Sequence, residues 1–201
     1  MTDSKFNKIL LFINSLVPLV LLFWDGYFGR LGANPIEYFL RTTGVLTLSF
    51  LILTLAVTPL RKLFKLNQLI KLRRMLGLYA FFYGCVHLIT YSIFDKNLDL
   101  WVIANDVWKR PFIAFGMAAL VLMIPLAVTS TNGMIKRLGG KRWKMLHRAV
   151  YLTAVLGIIH YYLIQKSDVT YPVIFGLILF ALLGYRIFVK AAAGARKAQT
   201  N

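Results

Sequence analysis

Six long apolar stretches, separated by short polar segments, dominate the chain. They cover residues 9–24, 43–60, 75–94, 111–130, 149–164 and 172–189. None contains a lysine or a glutamate, and Arg186 is the single arginine that falls inside one. A helix needs roughly 20 mostly apolar residues to cross a bilayer. The pattern therefore predicts an all-α, integral membrane six-helix bundle. The first stretch lacks a small-residue cleavage site, so we interpret it as a retained helix rather than a signal peptide.

The distribution of charge predicts how this bundle is oriented. The formal net charge is +17, from 24 basic and seven acidic residues. With the N-terminus inside, the outer segments hold only six basic residues, which are Arg30, Arg41, Lys96, Lys109, Arg110 and Lys166. They are matched by six acids, which are Asp25, Glu37, Asp95, Asp99, Asp106 and Asp168. The other 18 basic residues lie on the inner side, so the positive-inside rule places both termini in the cytoplasm. This asymmetry favours a membrane protein over a nucleic-acid binder.

The chain shows no internal repeat and no soluble module. The longest inner loops that the pattern predicts, residues 61–74 and 131–142, are strongly basic. No GxGxxG unit of a nucleotide-binding domain is present. The only cysteine, Cys85, excludes an intrachain disulfide. We therefore expect a single transmembrane domain over residues 1–201.

Three histidines are the candidate functional residues. His87 and His160 stand 13 residues after Arg74 and His147, respectively. Each therefore lies about 20 Å along a helix that starts at the inner side. An ionisable residue in a membrane span is a functional candidate by default, with structural hydrogen bonding as the alternative. His147 lies near the inner face, where a histidine can also reach the interface without any further role.

Two imidazoles at one depth can bind zinc or a heme iron. Zinc takes about four ligands, and no carboxylate lies in any span. Cys85 is two positions from His87, so the two side chains do not share a helix face. Heme needs two axial ligands, and Gly84 and Gly157 leave room for a macrocycle beside His87 and His160. Basic residues near the membrane edge would complement the anionic propionates.

The spacing of His147 and His160 raises a geometric problem. Thirteen residues leave the two side chains about 140° apart around an ideal helix. Either the helix is over- or underwound near Gly157, for example by a π-bulge, or two hemes approach it from different sides. The spacing alone leaves both arrangements open.

Two segments resemble a known family. The runs LRRMLGLYAFFYGCVHLITY (72–91) and TSTNGMIKRLGGKRWKMLHRAVYL (129–152), followed by His160, resemble the ferric-reductase-like transmembrane superfamily. The likeness extends over nearly the whole chain and is strongest to the short bacterial branch, the MsrQ (YedZ) family. The most specific element is W-K-x-L-H-R-x-V-Y-L with a second histidine 13 residues on.

The resemblance implies a function and a cellular location. It implies a heme-binding electron-transfer subunit in the bacterial inner membrane, rather than a catalytic subunit. Electrons would come from a cytosolic flavin reductase or the quinone pool. They would pass to a periplasmic molybdopterin-dependent methionine sulfoxide reductase that repairs oxidised proteins. The outer loops, with Trp101, Trp108 and several acids, are candidates for docking this partner, although loops need such polarity in any case.

The resemblance also implies the cofactors and their residues. It implies one or two b-type hemes with His87, His147 and His160 as iron ligands, and FMN as a further cofactor for which the sequence offers no motif. NADPH oxidases, in the same superfamily, carry two histidines on each of two helices. This chain has no fourth histidine, so an inner heme would have His147 and a non-histidine ligand or an open position. Arginine stays protonated and is no ordinary ligand, so Arg73 and Arg74 are candidates for binding propionates or a flavin phosphate.

Arg148, beside His147, is a further candidate for cofactor binding. Two alternatives remain for the protein as a whole. It could be a stand-alone membrane ferric reductase or quinone-linked cytochrome b, or a non-redox carrier or scaffold. The scarcity of acids within the spans disfavours a proton-coupled transporter.

Overall fold

The computed structural model describes residues 3–199 and confirms an all-helical fold. Its α-helices are α1 (Asp3–Tyr27), α2 (Pro35–Phe64), α3 (Arg73–Thr90), α4 (Leu100–Lys109), α5 (Pro111–Val128), α6 (Asn132–Leu146), α7 (Ala149–Ile164) and α8 (Thr170–Gln199). A 3₁₀-helix, Asn67–Lys71, precedes α3, and a π-helix, Tyr91–Asp95, continues it. The described part of the chain contains no β-strand.

Five of these helices are long and apolar enough to cross a membrane. They are α1, α2, α3 with its π-helical extension, α5 and α8. Helix α7 is equally apolar but has 16 residues, which is about 24 Å of helix. The sixth span therefore stays a prediction. The cytoplasmic placement of the termini also stays a prediction. Residues 1, 2, 200 and 201 lie outside the described residues.

The core lies between α2, α3, α5 and α7. Helix α2 packs along α3, α5 packs along α7, and α8 contacts both α7 and α2. Leu55, Ala80, Tyr83 and Ala154 are fully buried where these helices meet. Most of the apolar side chains of α1 and α8 are exposed, as expected for helices that face lipid.

Two tyrosines of α3 fasten α1 to this core. The hydroxyl of Tyr79 donates to the Phe12 carbonyl over 2.9 Å, and that of Tyr83 donates to the Ser15 carbonyl over 2.6 Å. Both rings stack on Phe50 of α2, with centroids 5.6 and 5.5 Å away. The polar end of each tyrosine is thereby satisfied in an apolar setting, as buried tyrosines require.

Two helices lie where the apolar pattern predicts loops. Helix α6 occupies most of the expected inner loop at residues 131–142, so that interpretation was wrong. The Thr131 hydroxyl accepts from the Met134 N–H and caps the helix, while Gly139, at φ 75°, interrupts it. Helix α4 is capped by the Asp99 carboxylate, which accepts from the N–H groups of Trp101 and Val102. Both caps are sequence signals for a helix start.

Candidate functional site

A cavity of about 800 Å³ lies between α2, α3, α5 and α7. Its volume is in the range of roughly 300–1,000 Å³ that is typical of small-molecule sites. His87 and His160 both line it, and so do four glycines of the surrounding helices, which are Gly44, Gly84, Gly116 and Gly157. The cavity therefore combines open space with two of the three histidines of the chain.

The two imidazoles lie next to each other inside this cavity. Their ring centroids are 6.1 Å apart, and the ring planes are nearly perpendicular, at 86°. His87 comes from the last turn of α3 and His160 from the last two turns of α7. Because the two helices enter from the same predicted side, both histidines reach one level of the bundle.

Hydrogen bonds determine which nitrogen of each ring is available. Nδ1 of His87 lies 3.0 Å from the Leu40 carbonyl oxygen, and Nδ1 of His160 lies 2.6 Å from that of Phe112. A carbonyl only accepts, so the ring proton is on Nδ1 in both residues. Nε2 of each neutral imidazole then carries a lone pair and is the nitrogen that can bind a metal.

The two rings are seated in the same way against different helices. In each case the accepting carbonyl is followed four residues later by a glycine, Gly44 after Leu40 and Gly116 after Phe112. A Cβ at Gly44 would lie 3.3 Å from His87 Cε1, and a Cβ at Gly116 would lie 2.8 Å from His160 Nδ1. The missing side chains thus leave room for the imidazoles to reach the helix backbone. The sequence reasoning overlooked both glycines, although each is conspicuous within an apolar stretch.

Charged residues line the cavity beside the histidine pair. The basic ones are Arg41, Arg110 and Lys166, and the acidic ones are Glu37, Asp95 and Asp168. Arg41 forms an ion pair with Glu37 over 2.7 Å, and Arg110 forms one with Asp106 over 3.3 Å. None of these residues was singled out for a role from the sequence, since each reads there as an ordinary loop or helix-end charge.

His147 is placed apart from this cavity. It lies on the turn between α6 and α7, because α7 begins only at Ala149. The interpretation of His147 and His160 as the two ends of one helix was therefore wrong, and α7 itself needs no π-bulge. The π-helical turn of this bundle follows α3 instead.

The contacts of His147 also differ from those of the cavity pair. Its Nε2 lies 3.0 Å from the Thr129 hydroxyl oxygen, whose own proton is directed to the Pro125 carbonyl, 2.6 Å away. The ring stacks on Trp143 with centroids 3.9 Å apart. Burial and then the nearby charge of Arg73 lower the pKa of His147, so its neutral form is favoured.

The three arginines suggested as cofactor contacts take different positions. Arg73 begins α3 and is half-buried, whereas Arg74 is exposed and donates to the Asn132 side chain. Arg148 is exposed at the start of α7. None of the three is among the residues that line the cavity.

Comparison with known proteins gives the family. The family model described as "Ferric reductase like transmembrane component" matches residues 43–158. A protein of Herminiimonas arsenicoxydans named "Protein-methionine-sulfoxide reductase heme-binding subunit MsrQ" is 55% identical over 90% of this chain and 84% of its own length. Relatives of the same name from Azospira oryzae and Rhodospirillum rubrum are each 50% identical, over 90% and 92% of this chain and 78% and 88% of their own lengths. Since the family model covers more than half of the chain and these relatives match almost all of it, the chain belongs to the ferric reductase like transmembrane family and, within it, to the MsrQ family of multi-pass membrane proteins.

Proposed function

We propose that the protein is a heme b-containing transmembrane electron-transfer subunit of a methionine sulfoxide reductase system. The observation that carries this proposal is the pair of imidazoles, His87 and His160, that face one cavity with Nε2 available on each ring. The printed name of the relatives, a heme-binding subunit of protein-methionine-sulfoxide reductase, supports it.

The spacing of the pair fits bis-imidazole ligation of one iron. A metal–imidazole bond is about 2.0 Å and the ring centroid lies about 1.1 Å behind the bonded nitrogen, so two rings on opposite sides of an ion have centroids about 6 Å apart. The observed separation is 6.1 Å. Among the described residues, no cluster of three or more His, Cys, Asp or Glu side chains could hold a different metal. These residues therefore fit heme better than zinc.

The protein's own groups orient and tune the two ligands. The carbonyls of Leu40 and Phe112 hold the Nδ1 protons, which fixes each ring and makes Nε2 a better donor to a metal. Bound heme, held by His87 and His160, would supply one-electron transfer, and two histidine ligands on one iron would favour this over binding of oxygen.

A second, inner heme would use His147. The chain has no fourth histidine, and the Nε2 of His147 is engaged by Thr129, so ligation there requires this contact to be exchanged. We propose Arg73, Arg74 and Arg148 as residues that bind anionic groups of a cofactor at this inner side. FMN is a further proposed cofactor, without an assigned binding residue.

The charge distribution supports a direction for electron flow. We propose that residues 1–201 form one domain with six spans, counting α7. This domain lies in the bacterial inner membrane with both termini in the cytoplasm.

The basic inner segments suit an acidic or phosphate-bearing electron donor, namely a cytosolic flavin reductase or, alternatively, the quinone pool. The acceptor on the outer side is a periplasmic molybdopterin-dependent methionine sulfoxide reductase, for which the exposed Trp101 and Trp108 of α4 offer contact surface.

The decisive experiment is the absorption spectrum of the purified protein, oxidised and reduced, with heme quantified per chain. We expect a low-spin b-type spectrum. His87→Ala and His160→Ala should each abolish the signal of the same heme. Cys85→Ala, on the same helix as His87 but outside the cavity lining, is the matched control and should keep the full spectrum. A colourless protein, or a full low-spin spectrum in both histidine variants, contradicts the proposal.

The same preparation separates the proposed electron-transfer subunit from a stand-alone reductase. The reduced protein is mixed with the periplasmic reductase, with a ferric chelate or with a quinone, and its reoxidation is followed. We expect rapid reoxidation by the protein partner. Rapid reoxidation by chelate or quinone, with none by the partner, would instead identify a ferric reductase or quinone-linked cytochrome.

A further inference from the structure

The cavity that holds the histidine pair has two chemically different ends. On one side of the imidazoles it is lined by buried apolar side chains of α2 and α5, among them Leu48, Leu51 and Met123. All the charged residues of its lining lie on the other side, which we call the mouth. The mouth is formed by the starts of α2 and α5, the π-helix after α3 and the segment between α7 and α8. It is the predicted outer end of the cavity.

Three basic residues from three separate elements line this mouth. Arg41 and Arg110 stand three and six residues before the glycines that lie behind the two imidazoles. Lys166 stands six residues after His160. At 1.5 Å per residue these positions are roughly 5–9 Å from the level of the imidazoles along the helices. The three cations are therefore on the same side of the histidine pair.

The acidic residues of the mouth already have partners. Glu37 forms its ion pair with Arg41 over 2.7 Å, and Asp95 forms one with Lys96 over 3.0 Å. The Asp168 carboxylate accepts from the first backbone N–H of α8 over 2.9 Å. A guanidinium has five N–H donors, so one such pair leaves Arg41 with donors for a further anion.

The side chains of the two arginines can turn toward a ligand in the cavity. Arg41 is 64% exposed and Arg110 is 50% exposed, and exposed side chains change rotamer within nanoseconds. Each arginine thus reaches both the solvent and the cavity that it lines.

We propose that Arg41, Arg110 and Lys166 bind the two propionate groups of a heme held by His87 and His160, an inference that rests on the proposed function. Propionates are carboxylates, and a buried charge without a partner is costly. None of the described lining residues at the apolar end carries a charge, whereas the mouth offers three cations. Arginine also binds carboxylates through two parallel hydrogen bonds. The propionate edge of the heme therefore faces the mouth, on the side of the proposed acceptor.

A role as ordinary surface charges explains less. It accounts for the contacts of Arg41 and Arg110 with nearby carboxylates, but exposed ion pairs contribute little to stability. It does not explain why basic residues from three elements line one cavity. Arg30 and Lys109 also lie on the predicted outer side and are exposed, yet neither is among the lining residues. These two residues therefore serve as controls.

The test compares heme with its dimethyl ester, which has the same iron and ring but neutral propionates. The heme-free full chain, in a neutral detergent, is titrated with each compound. The signal followed is the low-spin band that His87→Ala removes, which excludes any second heme. The quantity compared between variants is the ratio of the two dissociation constants, because partitioning of either compound into detergent is the same for every variant.

Matched variants separate the mouth from general basicity. Arg41→Gln and Arg110→Gln should each weaken heme binding about tenfold while leaving ester binding unchanged, because only heme loses charge-assisted hydrogen bonds. Lys166→Gln should have a smaller effect, since lysine lacks the planar fork. Arg30→Gln and Lys109→Gln should keep the ratio of the unaltered protein. A variant whose fold is disturbed would instead lose affinity for both compounds.

The reduction potential provides a second readout. Ferric heme carries one more positive charge than ferrous heme, so a nearby cation favours the ferrous form. Arg41→Gln and Arg110→Gln should therefore lower the midpoint potential of this heme in a spectroelectrochemical titration. Arg30→Gln and Lys109→Gln should leave the potential unchanged.

The possible results distinguish this inference from the proposed function. A changed ratio in either arginine variant, with unchanged controls, supports the site. A low-spin heme that depends on His87 and His160 but keeps the same ratio in both arginine variants overturns the site and leaves the heme function intact. An equal change in the controls also overturns it, since general basicity would then be the cause. A chain that binds neither compound contradicts the heme function and this site together.

Discussion

Arg186 donates to the carbonyl of Leu55, which lies four residues before Pro59 on α2. In a helix this carbonyl would accept from the N–H of residue 59, and proline has none. The arginine of α8 thus satisfies a backbone acceptor that α2 itself leaves open. Within a membrane span an unpaired carbonyl cannot hydrogen-bond to water instead. Pro59 is therefore tolerated because Arg186 supplies the missing donor.

This dependence predicts the outcome of a double-mutant cycle. Arg186→Gln alone should destabilise the protein by about 1–3 kcal/mol, the cost of leaving a buried acceptor unsatisfied. In a Pro59→Ala background the new N–H serves Leu55, so the same change should cost clearly less. The measurement is thermal or denaturant unfolding of all four proteins in one detergent. Equal costs in both backgrounds would show that the bond to Leu55 contributes nothing.

The two glycines behind the imidazoles predict a graded series. Gly116→Ala places a methyl group 2.8 Å from His160 Nδ1, a distance at which the ring must move. Gly44→Ala places one 3.3 Å from His87 Cε1, which requires a smaller shift. We expect heme content, or the intensity of the low-spin spectrum, to decrease more in Gly116→Ala than in Gly44→Ala.

Gly184→Ala of α8 is the control for this series, because a Cβ there meets nothing within 4 Å. It should leave the spectrum unchanged and stabilise α8, since alanine favours helix over glycine by up to about 1 kcal/mol. If Gly116→Ala retained a full spectrum while Gly44→Ala lost it, the seating of the rings on α2 and α5 would be wrong.

The sequence predicted those features that depend on local pattern. Apolar length predicted the all-helical class, and the spacings of His87 from Arg74 and of His160 from His147 placed the two at one depth. The glycine seats depend on contacts between Gly44 and α3 and between Gly116 and α7, which no local pattern reveals. Helix α6 was missed because its basic composition suggested a loop, although Thr131 is a good cap. The break before Ala149 was missed because residues on both sides of it favour helix.

The contact between Tyr83 and α1 predicts a loss of stability without a loss of cofactor. Tyr83→Phe removes the hydroxyl that donates to the Ser15 carbonyl but keeps the ring stacked on Phe50. One hydrogen bond contributes about 1 kcal/mol, and we expect unfolding to be easier by about that amount. The heme spectrum should not change, because Tyr83 does not line the cavity. A changed spectrum with unchanged stability would contradict this assignment.

The ion pairs of Asp106 predict a pH window for the packing of α4. Its carboxylate contacts Lys96 over 3.0 Å, the Tyr91 hydroxyl over 2.8 Å and Arg110 over 3.3 Å. Hydrogen bonds from Lys96 and then Tyr91 lower the pKa of Asp106, while those to Asp106 and then Asp95 raise the pKa of Lys96. The Asp106 carboxylate stabilises the fold fully above its unfolded pKa of about 3.9. This stabilisation is lost as the pH falls through the lowered pKa that Asp106 has in the folded protein. The Lys96 ammonium stabilises the fold fully below its unfolded pKa of about 10.4. This stabilisation is lost as the pH rises through the raised pKa that Lys96 has in the folded protein.

Helix α4 should therefore be protected from hydrogen exchange and proteolysis between about pH 4 and pH 10, and open on either side. Asp106→Asn should increase opening of α4 at pH 7 and flatten this dependence, because Lys96 and Arg110 lose their shared partner. Asp25→Asn is the control, since its ion pair with Arg30 is exposed and 4.0 Å long. The measurement is hydrogen exchange of residues 96–110, followed by mass spectrometry. Protection that persists in Asp106→Asn would show that α4 is held by its apolar contacts, such as Ile103, rather than by this cluster.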